Sequence, residues 1–422
     1  MLVKNTAWPA SFLLIILTAF LGSSCSLFIL ASSLPPDEYL PKAMLIIVDE
    51  AVYPEIKERI TTYQTDISSD EIASSLILWE ENAGADDLKS LIQSSSGNAD
   101  TAFFIGEIPS AFYEQTAFGM DEVFPTDLYF MDPDSVWTDS DGDGRFDSHS
   151  SLTVDFVVSR ITGSSEELNF YFDKLHGYRT GTTPSYDGAF IFKDDDWHHS
   201  YRGNDFGLGT IYGSVSFYQD PEDTTRAAYQ SKMTGTGAEY TYQWIHAYPP
   251  VLFVDVDDGY EIIRSTDISS NNFKGNFYNL FDCQAVRFTV KNLAESYLNH
   301  TDSGIAVIGS TKTGGMYYPI EFHKALAVGG SWGSAYKTWY NLNGKFDDSW
   351  FLGMIIMGDP AIRPHNAAGS DLSKGARSVS TIIPIPDEVL DEMYLQLRDF
   401  DPGGDLSDEF DFEKEQNLND LQ

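Results

Sequence analysis

The chain is poor in cysteine and in bases, with two cysteines in 422 residues and 26 Lys+Arg against 64 Asp+Glu. Two cysteines cannot build the disulfide framework that holds small secreted domains together. A formal net charge of −38 argues against nucleic-acid or anionic-membrane binding, because both need a basic face. Internal repeats at solenoid periods are also missing, which excludes the stacked-repeat architectures. A long apolar run occurs once, from about Phe12 to Leu30, behind Lys4 and ahead of Pro35 and Pro36. Residues 1–33 read as an export signal cut after Ser33, as an uncleaved membrane anchor, or as a lipoprotein signal ending at Cys25. All three place the remainder outside the cytoplasm, in the extracellular space or at the cell surface.

The scarcity of cysteine sharpens the question posed by LFDCQAVRFT, which contains Cys283. Cys25 lies inside the apolar segment, so a bond between the two is not expected. Cys283 is then a free thiol in an oxidising compartment, either packed as a small hydrophobe or used as a nucleophile.

What is present is a grammar of apolar strands and amphipathic helices. AMLIIVDE, SLILWE and TAFFIGEIPS read as strands, separated by the helical EIKERITTYQTD and DDLKSLIQSSS. After a turn-rich link at 180–184 the pattern resumes. GAFIFKDDD, AEYTYQWIHA, NLFDCQAV, SGIAVIGSTKTGG and FLGMIIMGDPAIRP read as strands or strand-like apolar segments, with TTRAAYQSKMTG a helix. The expected fold is α/β: mainly parallel sheet flanked by helices, as one large domain or as two subdomains over 41–183 and 184–365. Functional residues in such sheets gather at the carboxyl ends of strands. From 366 to 422 there are 14 acids and 4 bases, which reads as a disordered acidic tail.

A thiol near its ordinary pKa needs a base to act as a nucleophile, and an imidazole can take its proton. His246 ends one expected strand and Cys283 nearly ends another, so neighbouring parallel strands would bring both to one edge. DSDGDGRFD, residues 139–147, spaces carboxylates at alternate positions of a tight turn, as a hard cation with many oxygen ligands requires. Asp139, Asp141, Asp143 and Asp147 are the side-chain candidates for calcium, with the Arg145 carbonyl beside them. A solvated acidic turn is the plainer alternative. Asp194, Asp195 and Asp196 with His198 and His199 read as a solvated strand end rather than a metal site. His176-Gly177 reads as a helix terminus.

In order along the chain, FFIGEIPS, PTDLYFMD, DGDGRFD, VDFVVSRI, FIFKDDDW, WIHAYP, LFDCQAVRFT, IAVIGSTKTGG and MGDPAIRP resemble the gingipain-type cysteine peptidases, family C25 of the caspase-like clan. The resemblance runs from about Lys42 to His365 and implies a caspase-like fold with two α/β subdomains. It makes Cys283 the nucleophile and His246 the general base, with Asp155 as the acid that orients the histidine. The N–H groups of Cys283 and Ala247 would form the oxyanion hole, and Ser310, Thr311, Lys312 and Thr313 would wall the substrate pocket. The chain departs from the family at Ile245 and Ala247, where glycines usually flank the histidine, and at Asp282, where a small residue is usual.

The expected function is hydrolysis of peptide bonds in protein or peptide substrates, with structural calcium and no organic cofactor. The alternatives are a non-catalytic, calcium-stabilised surface or adhesion homologue, motivated by the three departures, and a transpeptidase, in which a substrate amine replaces water. No carboxylate lies in GSTKTGGM, so the residue preferred before the cut is not set by this segment.

Overall fold

A computed structural model describes residues 40–80, 83–256 and 259–365; the N-terminal apolar run, with Cys25, and the acidic tail lie outside them. The N-terminal part supplies β1 (Ala43–Asp49), α1 (Tyr53–Ser69), β2 (Ala73–Trp79), α2 (Ala85–Ser95) and β3 (Thr101–Ile105). A hairpin of β4 (Ala111–Ala117) and β5 (Met120–Thr126), the one-turn α3 (Leu128–Met131), and the short β6 (Trp137–Thr138) and β7 (Ser148–His149) lead to β8 (Val157–Ile161) and α4 (Ser165–Thr180). The second part runs through β9 (Ala189–Lys193), β10 (Val215–Tyr218), α5 (Arg226–Thr234), β11 (Ala238–Trp244), β12 (His246–Tyr248), β13 (Val251–Val256) and β14 (Gly259–Arg264). It closes with α6 (Ser265–Ser270), β15 (Gly275–Phe281), α7 (Leu293–His300), β16 (Ala306–Ser310), α8 (Ile320–Ala327), α9 (Trp332–Leu342), α10 (Asp348–Phe351) and β17 (Met354–Gly358).

Ten of these strands form one sheet in the order β10-β9-β11-β15-β16-β17-β8-β3-β1-β2. Strands such as TAFFI, AEYTYQW and GNFYNLF are buried along their whole length, as expected where helices flank a parallel sheet. Every neighbouring pair is parallel except β16 and β17, which run antiparallel from Ala306↔Gly358 to Ser310↔Met354. The two halves of the sheet therefore point in opposite directions. The carboxyl ends of β9, β11, β15 and β16 share an edge with the amino ends of β17 and β8. The strands of 41–183 and 184–365 thus belong to a continuous sheet, joined where β17 pairs β8 at Met357↔Arg160.

Local chemistry sets several of these elements. Ser164 and Glu167 form the capping box that starts α4, and Gly181, at φ 76°, ends it in the left-handed conformation. Arg160 of β8 is buried against Asp127 and lies 3.7 Å from the centroid of Phe288, tying the chain after β15 to the other half-sheet. Among the described residues no helix is long and apolar enough to cross a membrane.

Candidate active site

β11 and β15 pair in parallel register as far as Trp244↔Phe281. Two residues further along each segment lie His246, the first residue of β12, and Cys283, in the turn after β15. The intervening step is fixed by a side chain, since Asp282 Oδ1 accepts the Ile245 N–H at 3.1 Å and its other oxygen accepts from the Gln243 amide. Asp282 is buried, which pushes its carboxyl well above the usual carboxylate range, while these two donors pull the other way. Its carboxylate is therefore directed at β11, on the side away from solvent.

His246 is 2% exposed. Its Nε2 lies 3.0 Å from Asp196 Oδ2, and its ring packs 5.3 Å from Trp197. Trp197 in turn rests on Trp244 and Phe281, so the histidine sits on an aromatic floor made by the two strand ends. Asp196 comes from the loop after β9, which is anchored at its start. Lys193 reaches the Ser200 and Tyr201 carbonyls and the faces of Phe206 and Trp244, and burial pushes its ammonium down to about 7. Asp194 accepts the Asp255 N–H at 3.2 Å, and burial raises its carboxyl well above the usual range. Asp194 is thus inside the protein while Asp195 and Asp196 are partly exposed, and among the described residues they form no cation cluster with His198 or His199.

Cys283 is half-buried in the turn just past β15. Burial pushes the thiol up to about 12, and the Gly314 N–H that donates to it pulls it down. Gln284 takes the left-handed conformation at φ 58°, and its N–H bonds the Lys312 carbonyl at 2.9 Å. A non-glycine residue in that region marks a turn held by its surroundings. Among the described residues the Cys283 N–H donates to no backbone carbonyl outside a strand ladder, and Ala247 pairs Leu252 across β12 and β13.

Ser310, Thr311 and Lys312 are wholly buried and Thr313 nearly so. They run beside the Cys283 turn and are pinned by the β4–β5 hairpin, since Thr311 Oγ1 donates to the Pro125 carbonyl at 2.6 Å. Glu122 of β5 accepts the Thr313 N–H at 2.9 Å and stands 3.4 Å from the Lys312 ammonium. Burial lowers the Lys312 pKa, and Glu122 raises it.

Asp155 is placed elsewhere. It precedes β8, four strand spacings from β11, or roughly 19 Å at the usual interstrand distance. Its carbonyl accepts from Lys337 at 2.7 Å and the residue is exposed. The acid that meets His246 is Asp196.

In the acidic loop, Asp139 accepts the N–H groups of Gly142 (2.7 Å) and Gly144 (2.9 Å), and Asp147 accepts the Ser140 N–H (2.9 Å). These donors hold both carboxyls below the usual range, the Gly144 and Ser140 N–H groups foremost. Gly142 and Gly144, at φ 79° and 90°, make the tight turn. Arg145 donates its N–H to Asp143 Oδ1 and sets its guanidinium 3.5 Å from Asp143 Oδ2. One carboxylate oxygen each from Asp141, Asp143 and Glu114 of β4 lie within 4.8 Å of one another, a donor set that fits a hard cation. Burial raises the Glu114 carboxyl first, and Asp143 and Asp141 add to it.

No family model matches the chain. No curated protein matches it either.

Three residues of the site escaped the sequence. Asp196 sits in an acidic run at a strand end, and the clue was that β9 is the neighbour of the histidine strand. Glu122 and Glu114 lie in a hairpin without motif and reach the site only through tertiary packing.

Proposed function

We propose that this chain is a cysteine peptidase of the gingipain type, with a caspase-like fold of two α/β subdomains and a Cys283/His246 dyad. The observation that carries the reading is the register of β11 and β15, which sets His246 and Cys283 beyond the ends of adjacent parallel strands, with Asp196 on His246 Nε2. His246 takes the thiol proton, and the sulfur forms a bond to the scissile carbonyl carbon. Negative charge on the carbonyl oxygen is met by the Cys283 and Ala247 N–H groups. The C–N bond breaks as His246 returns the proton to the leaving amine. Water, deprotonated by His246, then attacks the thioester, releasing the carboxylic acid and restoring the thiol. Asp196 holds the imidazole in one orientation and stabilises the imidazolium. Calcium belongs at Glu114, Asp141 and Asp143, where it is structural. The substrates are proteins or peptides met outside the cell, the compartment to which the N-terminal segment points.

A second reading has its own observation. Cys283 packs against the hydrophobic core, and this packing, which also pushes its thiol up, favours a non-catalytic, calcium-stabilised surface homologue. Iodoacetamide labelling of the Cys283 peptide against pH, in the wild type and His246→Ala, separates the two. Fast labelling below about pH 7 that is lost in the variant supports the dyad. Slow labelling that ignores the substitution leaves the non-catalytic reading.

A further inference from the structure

The 310–315 segment lies against the nucleophile: Gln284 N–H bonds the Lys312 carbonyl at 2.9 Å, Val286 N–H the Ser310 carbonyl at 3.3 Å, and Gly314 N–H the thiol itself. Three charged side chains act on that thiol, namely Glu122, Lys312 and Asp282. Asp282 is committed to Ile245 and Gln243. Glu122 accepts the Thr313 N–H with one oxygen, and the other stands 3.4 Å from the Lys312 ammonium as an ion pair. Lys312 is wholly buried; its ammonium donates to the Thr313 and Ser349 carbonyls (2.7 Å to the latter) and is ion-paired with Glu122 Oε2 at 3.4 Å. The surroundings are otherwise aromatic. Trp350 is 5.9 Å from Phe281, 5.2 Å from Tyr317 and 5.2 Å from Phe118, and Gly314 and Gly315 press onto Trp350 and Phe281.

Resting on the peptidase reading above, we propose that the enzyme cleaves after an uncharged, apolar residue, because Lys312 already occupies the Glu122 carboxylate that a basic substrate side chain would need. The chain carries its own cation at the pocket wall. A substrate arginine or lysine would have to give up its water beside a carboxylate whose charge Lys312 already neutralises, and a substrate acid meets an ammonium whose charge Glu122 already balances. A leucine, methionine or phenylalanine loses only apolar hydration and meets aromatic faces.

The test is peptide hydrolysis with substrates that differ only in the residue before the cut, for the wild type and for Lys312→Met. The wild type is expected to favour Leu, Met or Phe over Arg, Lys, Asp and Glu by at least about tenfold in kcat/KM. The variant exposes Glu122 and is expected to raise the Arg and Lys rates relative to Leu by a similar factor. A wild type that works best after a charged residue overturns the proposal and leaves the peptidase reading standing. A folded Lys312→Met protein with no gain on Arg or Lys overturns the role given to Lys312. If that variant does not fold, the wild-type profile decides. No turnover of any peptide removes the peptidase reading and this proposal together.

Discussion

Asp282 Oδ1 accepts the Ile245 N–H at 3.1 Å, so one carboxyl joins the residue before Cys283 to the residue before His246. Backbone pairing between β11 and β15 stops at Trp244↔Phe281, and this bond extends the alignment past the ladder's end. The Gln243 amide holds the other oxygen, and Gln243 is itself held by Tyr229. An aspartate here departs from the gingipain pattern, yet its geometry makes it a strap between the two strand ends.

Asp282→Ala leaves two buried donors, the Ile245 N–H and the Gln243 amide, without their acceptor. Each such loss costs about 1–3 kcal/mol. Urea unfolding should therefore show a loss of roughly 2–6 kcal/mol. The His246-dependent part of Cys283 labelling should shrink with it, and Asp282→Asn, which keeps an oxygen for Ile245 but sets a donor against the Gln243 amide, should restore at most about half of both. Equal stability and unchanged labelling in the alanine variant would show that the strap holds nothing.

The position of the histidine's acid separates two residues. Asp196→Ala removes the carboxylate 3.0 Å from His246 Nε2 and is expected to lower kcat/KM on peptides by about 10- to 100-fold. Asp155→Ala, on an exposed residue four strands away, should leave kcat/KM within about twofold. The reverse ranking would return the acid's role to Asp155.

Much of the strand content was legible because fully buried parallel strands leave uninterrupted apolar runs: AMLIIVD, TAFFI, AFIFK and AVIGS are all strands. Cys283 and His246 could be placed near strand ends for the same reason. Neighbour relations were not legible. Nothing in MIIMG says that β17 runs antiparallel to β16 and so reverses half the sheet, or that the order β11-β15-β16-β17-β8 sets β8 four strands from β11. Asp196 and Glu122 act through contacts 50 and 191 residues apart in sequence, which composition and spacing cannot record.

Calcium should stabilise the fold through Glu114, Asp141 and Asp143. Weak sites of this kind bind near 10⁻⁴–10⁻³ M, so a millimolar addition should contribute about 0.4–1.4 kcal/mol by mass action. Thermal unfolding with 1 mM CaCl2 against EDTA, an order-of-magnitude choice set by that affinity range, reads the shift as a higher Tm of a few degrees. Glu114→Gln should abolish the shift while leaving the EDTA value near that of the wild type. A shift that survives Asp141→Asn with Asp143→Asn would move the ion away from this cluster.

Acid should weaken the fold through His323, which is buried on α8 between the Phe206 carbonyl (2.8 Å from Nδ1) and the Tyr240 hydroxyl (2.8 Å from Nε2). The neutral ring satisfies both, donating at Nδ1 and accepting at Nε2. Protonation would place a second donor against Tyr240 and a charge where no water reaches. Burial accordingly lowers the His323 pKa from 6.5 to about 4. The folded pKa lies below the unfolded one, so between these values the unfolded chain binds a proton that the folded chain refuses. The stability this group contributes is therefore complete above about pH 6.5 and is lost as pH falls toward 4, by about 3 kcal/mol. The Phe206 end of the contact belongs to the loop after β9 that carries Asp196, so the same titration loosens the support of the histidine's acid. Chemical unfolding of the wild type and His323→Gln at a series of pH values between 7 and 4 isolates the effect, because the other carboxyls titrate in both proteins. The stability gap between the two should narrow by about 3 kcal/mol across that range. Parallel curves would mean that His323 is protonated, or solvated, in the folded protein.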